Sequence, residues 1–171
     1  RKITSSGVVT TLAGSTSSGS ADGTGAAASF KAPRGVAVDG SGIVYVADAH
    51  NHMIRKITPS GVVTTLAGST SSGSAEGTGT AASFNIPYDV ALDASGNVYV
   101  ADLGNNMIRK ITSAGVVITL AGSTSSGSAD GTGAAASFNA PFGVAVDGSG
   151  NVYVADQTNH KIRKITPSGV V

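Results

Sequence analysis

The tetrapeptide RKIT occurs four times, and its spacing constrains the fold more than any other feature. The copies begin 54 residues apart (55 − 1, 109 − 55 and 163 − 109), at Arg1, Arg55, Arg109 and Arg163. The residues between the copies are almost identical. The 171 residues therefore form one segment, 1–171, made of repeats 1–54, 55–108 and 109–162 and a partial repeat 163–171. A fixed internal period of this length is typical of repeat architectures.

Each repeat contains four short segments with the composition of β-strands. In one copy they are GVAVD, IVYVAD, MIRKIT and VVTTLAG, which lie between Gly35 and Gly68. Val, Ile, Tyr and Thr dominate them, and Gly, Ser, Asn or Pro bound them. The connectors are short enough to close hairpins. Because no segment has a convincing helical period, the repeat predicts a four-stranded antiparallel meander.

A low-complexity segment, GSTSSGSADGTGAAASFKAP in one copy, joins each meander to the next. Such a composition is typical of disorder. Its copying in every repeat favours an ordered excursion across the outside of the sheet instead. In this interpretation an apolar residue anchors the segment on its return, at Phe30, Phe84 and Phe138.

At this point the chain resembles a known family. The string PFGVAVDGSGNVYVADQTNHKIRKIT at residues 141–166 is similar to the NHL repeat, and every repeat carries a version of it. The resemblance implies a β-propeller, typically of six blades, in which the first strand of each blade lines a central channel. The chain departs from the family where NHL repeats commonly have Arg before Ile, at Met53, Met107 and Lys161.

Three blades alone would leave two apolar faces in water. Burying one Val, Ile or Tyr side chain is worth roughly 1.5–3 kcal/mol, so two open faces forfeit on the order of 10 kcal/mol. This is comparable to the whole stability of a domain. The predicted fold is therefore an all-β propeller with three blades' worth of four-stranded antiparallel sheet per chain, closed to six blades by a homodimer. A nine-bladed trimer is less favoured, and half of a longer natural chain is a third alternative.

The ends of the chain fit such a closure. Residues 1–14 supply the third and fourth strands of a blade, and residues 143–166 supply the first three. RKITSSGVV at the start and RKITPSGVV at the end compete for one place. We predict that only one of the two copies is paired in the sheet.

Only three columns differ among all three repeats, and all lie in two loops. One loop enters the first strand and the other joins the second and third strands, and in a propeller both lie on the same face. We predict a ligand site on this face at the channel mouth, formed by Arg34, Tyr88, Phe142, Lys31, Asp89, His50, Leu103 and Gln157. Aromatic rings beside a guanidinium suit a protein, a peptide carboxylate or a small anionic ligand. Drift at loop positions without packing constraints is the alternative.

The remaining polar residues predict structure rather than chemistry. Asp39 and Asp48 recur in every repeat, as expected for carboxylates that accept turn N–H groups. Asn51 recurs in the same way and is expected to adopt a left-handed turn conformation. Asp22 lacks the further acidic ligands that calcium needs. His50 and His52 are only two residues apart, where a shared metal would be strained. We therefore predict no catalytic residue, no metal and no cofactor. The Arg and Lys of RKIT should lie between blades, pair with aspartates and extend their charged ends toward water.

Composition excludes several classes of protein. The net charge is +1 and charged residues make up 12%, which gives no basic surface for nucleic acid. No apolar run approaches membrane-spanning length, so no membrane association is expected. The chain has no cysteine. The compartment is not assigned by the sequence, and the resemblance alone is compatible with a bacterial extracytoplasmic location.

The leading functional hypothesis is a non-enzymatic interaction scaffold whose half-rings self-assemble and bind a partner on the variable face. One alternative is a lyase or hydrolase with a metal-dependent site at the channel mouth, because the resemblance extends to lyases with metal-bound histidines. Another is a designed or excised propeller fragment without a natural ligand, as the initial Arg and the overlapping ends would suggest. The sequence therefore favours a binding protein over an enzyme and leaves the enzyme alternative open.

Overall fold

The computed structural model describes all residues, 1–171. The fold is all-β with antiparallel sheets and no α-helix; six short 3₁₀ turns lie between strands. No helix has the length and apolar character needed to cross a membrane. The strands are β1 Lys2–Ile3, β2 Val9–Thr10, β3 Gly23–Thr24, β4 Pro33–Val38, β5 Val44–Asp48, β6 Met53–Ile57, β7 Val62–Gly68, β8 Gly77–Thr78, β9 Pro87–Leu92, β10 Val98–Asp102, β11 Met107–Ile111, β12 Val116–Gly122, β13 Pro141–Val146, β14 Val152–Asp156 and β15 Lys161–Ile165.

The strands form three blades and a separate hairpin. Blade 1 has the order β3-β7-β6-β5-β4, and blade 2 has the equivalent order β8-β12-β11-β10-β9. Blade 3 contains β13-β14-β15, and the N-terminal hairpin contains β1-β2. The predicted four-stranded meander is present in blades 1 and 2. Each of these blades also has a fifth, two-residue strand that the sequence did not predict.

The fifth strand comes from the low-complexity segment, which is ordered. Gly23 pairs with Val63, and Thr24 with Val62. The Asn51 side chain donates to the Gly19 carbonyl at 2.7 Å, and equivalent bonds form in the other two repeats. Phe84 and Phe138 anchor two returns of the segment and are fully buried. The segment is therefore held by side chains distant in sequence.

The core lies between blades. The side of blade 1 that faces blade 2 presents Tyr45, Ala47 and Ile54, which share a cluster with Val90 and Val100 of blade 2. The same set recurs one repeat later, where Tyr99, Ala101 and Ile108 of blade 2 cluster with Val144 and Val154 of blade 3. Apolar residues of equivalent register thus form both internal interfaces.

The array of blades is open at both ends. Val36 of blade 1 is 63% exposed, whereas its equivalent Val90 is 4% exposed. Ile162 of blade 3 is 77% exposed, whereas its equivalents Ile54 and Ile108 are fully buried. The N-terminal segment covers the outer part of the blade 1 face, where Leu12 and Ala13 pack. Each terminal blade therefore keeps one apolar face without a neighbouring blade.

The arginines of the second, third and fourth RKIT copies are buried inside the blades, whereas Arg1 is exposed. Arg55 is fully buried and donates to Asp48 at 2.8 Å and to Asp22 at 2.7 Å. It also donates to two carbonyls of the low-complexity segment. The predicted pairing with aspartates is present, but the guanidinium does not reach solvent. The expectation of side chains extended toward water was wrong for the arginines because the ordered segment covers them.

Candidate functional site at the channel mouth

One of the three columns that differ in every repeat lies in a β-bulge at the start of the first strand of each meander. In blade 2, Asp102 pairs with Pro87 and Ala101 with Asp89, so Tyr88 has no partner of its own. In blade 3, Phe142 is skipped in the same way. In blade 1, the register likewise shifts between Pro33 and Val36, around Arg34. An extra residue in a bulge is free of the ladder and redirects its side chain.

The three side chains of this column contact one another in order. The Arg34 guanidinium carbon lies 5.1 Å from the centre of the Tyr88 ring. The Tyr88 and Phe142 ring centroids are 3.7 Å apart, with the planes tilted by 38°. A cation over a ring and a ring beside a ring both attract. Arg34, Tyr88 and Phe142 thus form one continuous row, which we call the mouth ladder.

Asp89, also predicted for the site, links two blades. Its Oδ2 accepts the Val144 N–H at 3.0 Å, across the interface between blades 2 and 3. A Cβ placed at Gly35 would overlap the Asp89 carboxylate. The carboxylate therefore occupies space that only glycine leaves open on the neighbouring strand. One of its oxygens is already committed to the backbone of the next blade.

Lys31 and His50 lie side by side through a backbone hydrogen bond. The His50 N–H donates to the Lys31 carbonyl at 3.1 Å, and the equivalent residues form the same bond in the other repeats. Both side chains are exposed. Leu103 is half-buried, and Gln157 is exposed beside Phe142 at the open side of blade 3. Arg34, Lys31 and His50 place basic groups on the blade 1 part of the mouth.

Each internal blade interface also carries a hydrogen bond that the sequence analysis missed. The Ile86 N–H donates to His52 Nδ1 at 3.1 Å, and the Ala140 N–H donates to Asn106 Oδ1 at 3.0 Å. His52, Asn106 and His160 have positive φ. The left-handed conformation is therefore adopted one residue after Asn51, the residue for which it was predicted. The sequence contains a signal for this contact: the column of His52, Asn106 and His160 holds only His or Asn, and both side chains can accept a hydrogen bond.

The environment of His52 disfavours its charged form. Burial, then the proximity of His50 and Lys31, lowers the pKa of His52 below the ordinary value for histidine. The neutral imidazole is the form that can accept the Ile86 N–H. The hydrogen bond and the electrostatic surroundings therefore favour the same protonation state.

The repeated aspartates serve the turns and the buried ion pairs. Asp93 accepts the backbone N–H groups of Ser95 and Asn97 and the Tyr99 hydroxyl. Burial opposes ionisation, but the side-chain and backbone donors, Asn97 first, hold the pKa of Asp93 below its ordinary value. Burial and the Asp93 carboxylate raise the pKa of Tyr99 to about 12. The predicted structural role of this aspartate column is consistent with these contacts.

The second aspartate column is buried. Asp102 is fully buried and accepts from Asn85 N, Asn105 and Arg109. Burial raises the pKa of Asp102 to about 6, although these donors favour the carboxylate. Nowhere do three or more His, Asp or Glu side chains gather as a metal site would require. The buried carboxylates belong to ion pairs within each blade.

Comparisons with known proteins match parts of the chain. A family model described as the teneurin NHL domain matches residues 3–78, and one described as the NHL repeat matches residues 138–165. The chain is 40% identical over 80 residues to NHL repeat-containing protein 2 of Gallus gallus, covering 46% of this chain and 11% of that protein. It is 36% identical over 94 residues to the chloroplastic protein SUPPRESSOR OF QUENCHING 1 of Arabidopsis thaliana, covering 54% of this chain and 9% of that one.

A solved structure shares the arrangement of the blades. It is a protein of unknown function from Bacteroides thetaiotaomicron, which superimposes with a TM-score of 0.67 at 31% identity. The match covers 72% of this chain and 32% of the other. The chain thus spans about a tenth of the two curated relatives and about a third of this structural neighbour.

Proposed function

Because the chain belongs to the NHL-repeat family, we propose that it is a non-enzymatic interaction scaffold, a half-propeller that closes a six-bladed ring with a second copy of itself. The observation that carries this proposal is the correspondence between its two open faces. Blade 3 exposes Tyr153 and Ile162 and leaves Ala155 half-buried, and these three are the equivalents of residues that pack blade 1 against blade 2. Blade 1 exposes Val36 and Val38, the equivalents of residues that receive them.

The residues of the two open faces occupy the same register as those of the internal interfaces. In blade 2, Tyr99 and Ile108 pack against blade 3 and are almost fully buried. Tyr153 and Ile162 occupy the same register and lack that cover. Placing blade 1 of a second copy on blade 3 would bury Tyr153 and Ile162 against the second copy's Val36 and Val38, the equivalents of the residues that pack there at the internal interfaces. In a two-chain ring the contact occurs twice, and we call each contact between chains a seam.

The mouth ladder supports binding on one face of this ring. Its two ends are Arg34 and Phe142, which lie on the two terminal blades. In the ring, Phe142 of one chain would therefore meet the partner subunit's Arg34, and two ladders would encircle the channel. Basic groups beside aromatic rings suit a carboxylate or another small anionic group. We propose a peptide or protein carboxylate as the ligand class.

The experiment that tests self-assembly introduces a charge at a seam. Ile162→Asp places a carboxylate on the face that should be buried between chains, so the assembled fraction in sedimentation velocity should fall strongly. Ile118→Asp is the matched control, since Ile118 is exposed at 38% on the outer strand of blade 2, away from both seams. Equal assembly of both variants and the unmodified chain would reject the seam.

A further inference from the structure

The two interfaces within the chain share one polar contact that crosses from blade to blade. The donor is a backbone N–H on the loop entering the next blade, at Ile86 or Ala140. The acceptor is the side chain 34 residues earlier, His52 or Asn106. Donor and acceptor residues all have positive φ, so the contact has the same backbone geometry in both places.

A third donor and a third acceptor of this kind lie on the two open faces. His160 occupies the acceptor position in blade 3 with φ 56°, and its side chain is exposed beside Phe142 and Ile162. Ala32 occupies the donor position in blade 1 with φ 49°, and its N–H makes no hydrogen bond within the chain. The repeat therefore supplies both halves of the contact on separate terminal blades.

Building on the proposed ring, we infer that the His160 imidazole accepts the backbone N–H of the partner subunit's Ala32 at each seam, and that acid weakens ring closure by breaking this bond. A neutral imidazole has one nitrogen lone pair, whereas the imidazolium has none. Protonation would leave the Ala32 N–H without an acceptor inside the seam. An unsatisfied buried donor opposes association.

The charged side chains expected around this bond are mostly positive. Lys161 adjoins it in the same blade, and the partner subunit's Lys31, Arg34 and His50 would lie on the facing loops, as judged from the equivalent internal interface. The nearest carboxylates are already paired. Asp156 accepts from Asn139 N, Asn159 and Arg163, and the partner subunit's Asp48 has the equivalent bonds to Lys31 N, Asn51 and Arg55.

Asn106 provides a matched variant. Asparagine accepts the equivalent N–H in this chain without titrating, so His160→Asn should keep the seam contact at every pH. For the unmodified protein, the dimer dissociation constant should rise on the order of tenfold per seam between pH 8 and pH 5, a range that spans the ordinary histidine pKa of about 6.5. Sedimentation equilibrium at both pH values measures this change.

Each outcome decides between the two proposals. His160→Asn should assemble equally at pH 8 and pH 5, and His160→Ala should assemble more weakly than the unmodified chain at pH 8. A pH-independent dimer of the unmodified chain, or a pH response unchanged in His160→Asn, would overturn the histidine contact while leaving the ring intact. Loss of the pH response in His50→Asn alone would assign it to His50 instead and also overturn the contact. A monomer at pH 8 would reject the ring itself.

Discussion

The rings of Tyr88 and Phe142 stack between neighbouring blades, with centroids 3.7 Å apart, although the two residues are 54 positions apart in sequence (142 − 88). The propeller arrangement brings equivalent residues of successive repeats side by side. A column that varies between repeats therefore becomes a continuous surface, on which Arg34 is the next member. This relationship turns sequence variation at one position into a candidate binding surface.

Replacing Arg34 by Ala should weaken carboxylate binding much more than it weakens assembly, because the apolar contacts of each seam remain. The side chain is exposed and contacts the Tyr88 ring, so its loss removes a guanidinium donor and leaves the blade core unchanged. Titration of a short peptide with a free C-terminal carboxylate, against its amidated form, should show an affinity loss of about tenfold or more. Lys110→Ala is the control of equal charge, since Lys110 lies over Tyr99 away from the mouth. Unchanged affinity in Arg34→Ala would reject this site.

Replacing Arg109 by Ala should destabilise the fold. Arg109 and Asp102 are both fully buried and lie 3.2 Å apart, so the variant leaves a carboxylate without its cation. Removing one partner of a buried pair costs about 3–5 kcal/mol in the free energy of unfolding. Urea denaturation measures the loss, with the partly exposed neighbour Lys110→Ala as the control. Similar stability of the two variants would show that the ion pair contributes little.

The sequence was sufficient for the repeat and for the four-stranded meander, because these depend on the 54-residue period and on local strand composition. It could not show that Arg55, Arg109 and Arg163 are buried. Their cover is the low-complexity segment, whose composition indicates disorder and whose carbonyls and aspartates are supplied 26 to 34 residues away. The contacts between these arginines and the segment depend on how the segment crosses the sheet, and a local sequence pattern does not predict that path.

The stability of the folded chain should depend on His52 at mildly acidic pH. The folded state lowers the pKa of this histidine, so it binds fewer protons than the unfolded chain, and stability falls as pH drops through about 6.5. His52→Asn copies the acceptor found at Asn106 and should make the urea midpoint less different between pH 7 and pH 5. His50→Asn should leave that difference nearly intact. A steeper pH dependence in His52→Asn would contradict the assignment.

The left-handed turn position shows a further limit of prediction. Asn51 was a reasonable choice because asparagine tolerates positive φ, but the conformation falls on His52, Asn106 and His160. Asn51 instead directs its amide to Gly19 and Asp48. The asparagine indicated that a left-handed turn occurs but not which residue adopts it. One acceptor of the Asn51 amide, the Gly19 carbonyl, lies 32 residues away, so no local pattern shows that Asn51 is committed to it.

Of the two RKIT copies at the ends of the chain, we expect only the C-terminal copy to contribute to the stability of the fold and to assembly. Arg163 is buried and bonded to Asp156 and Asp130, and Val170 pairs with Thr132. In contrast, Ile3 and Val8 of the N-terminal copy are more than half exposed. Deleting residues 1–9 should therefore leave the assembled mass and the urea midpoint nearly unchanged. Loss of assembly in this deletion would show that the N-terminal copy occupies the shared blade.

The mass of the particle in solution tests the central proposal most directly. Multi-angle light scattering at pH 8 should give twice the chain mass of 16.6 kDa, or 33.2 kDa, over a wide range of concentration. This is the mass of a ring in which the open faces of blades 1 and 3 cover each other. A folded particle of 16.6 kDa that persists at high concentration would contradict the account, because its Val36 and Ile162 faces would remain in water.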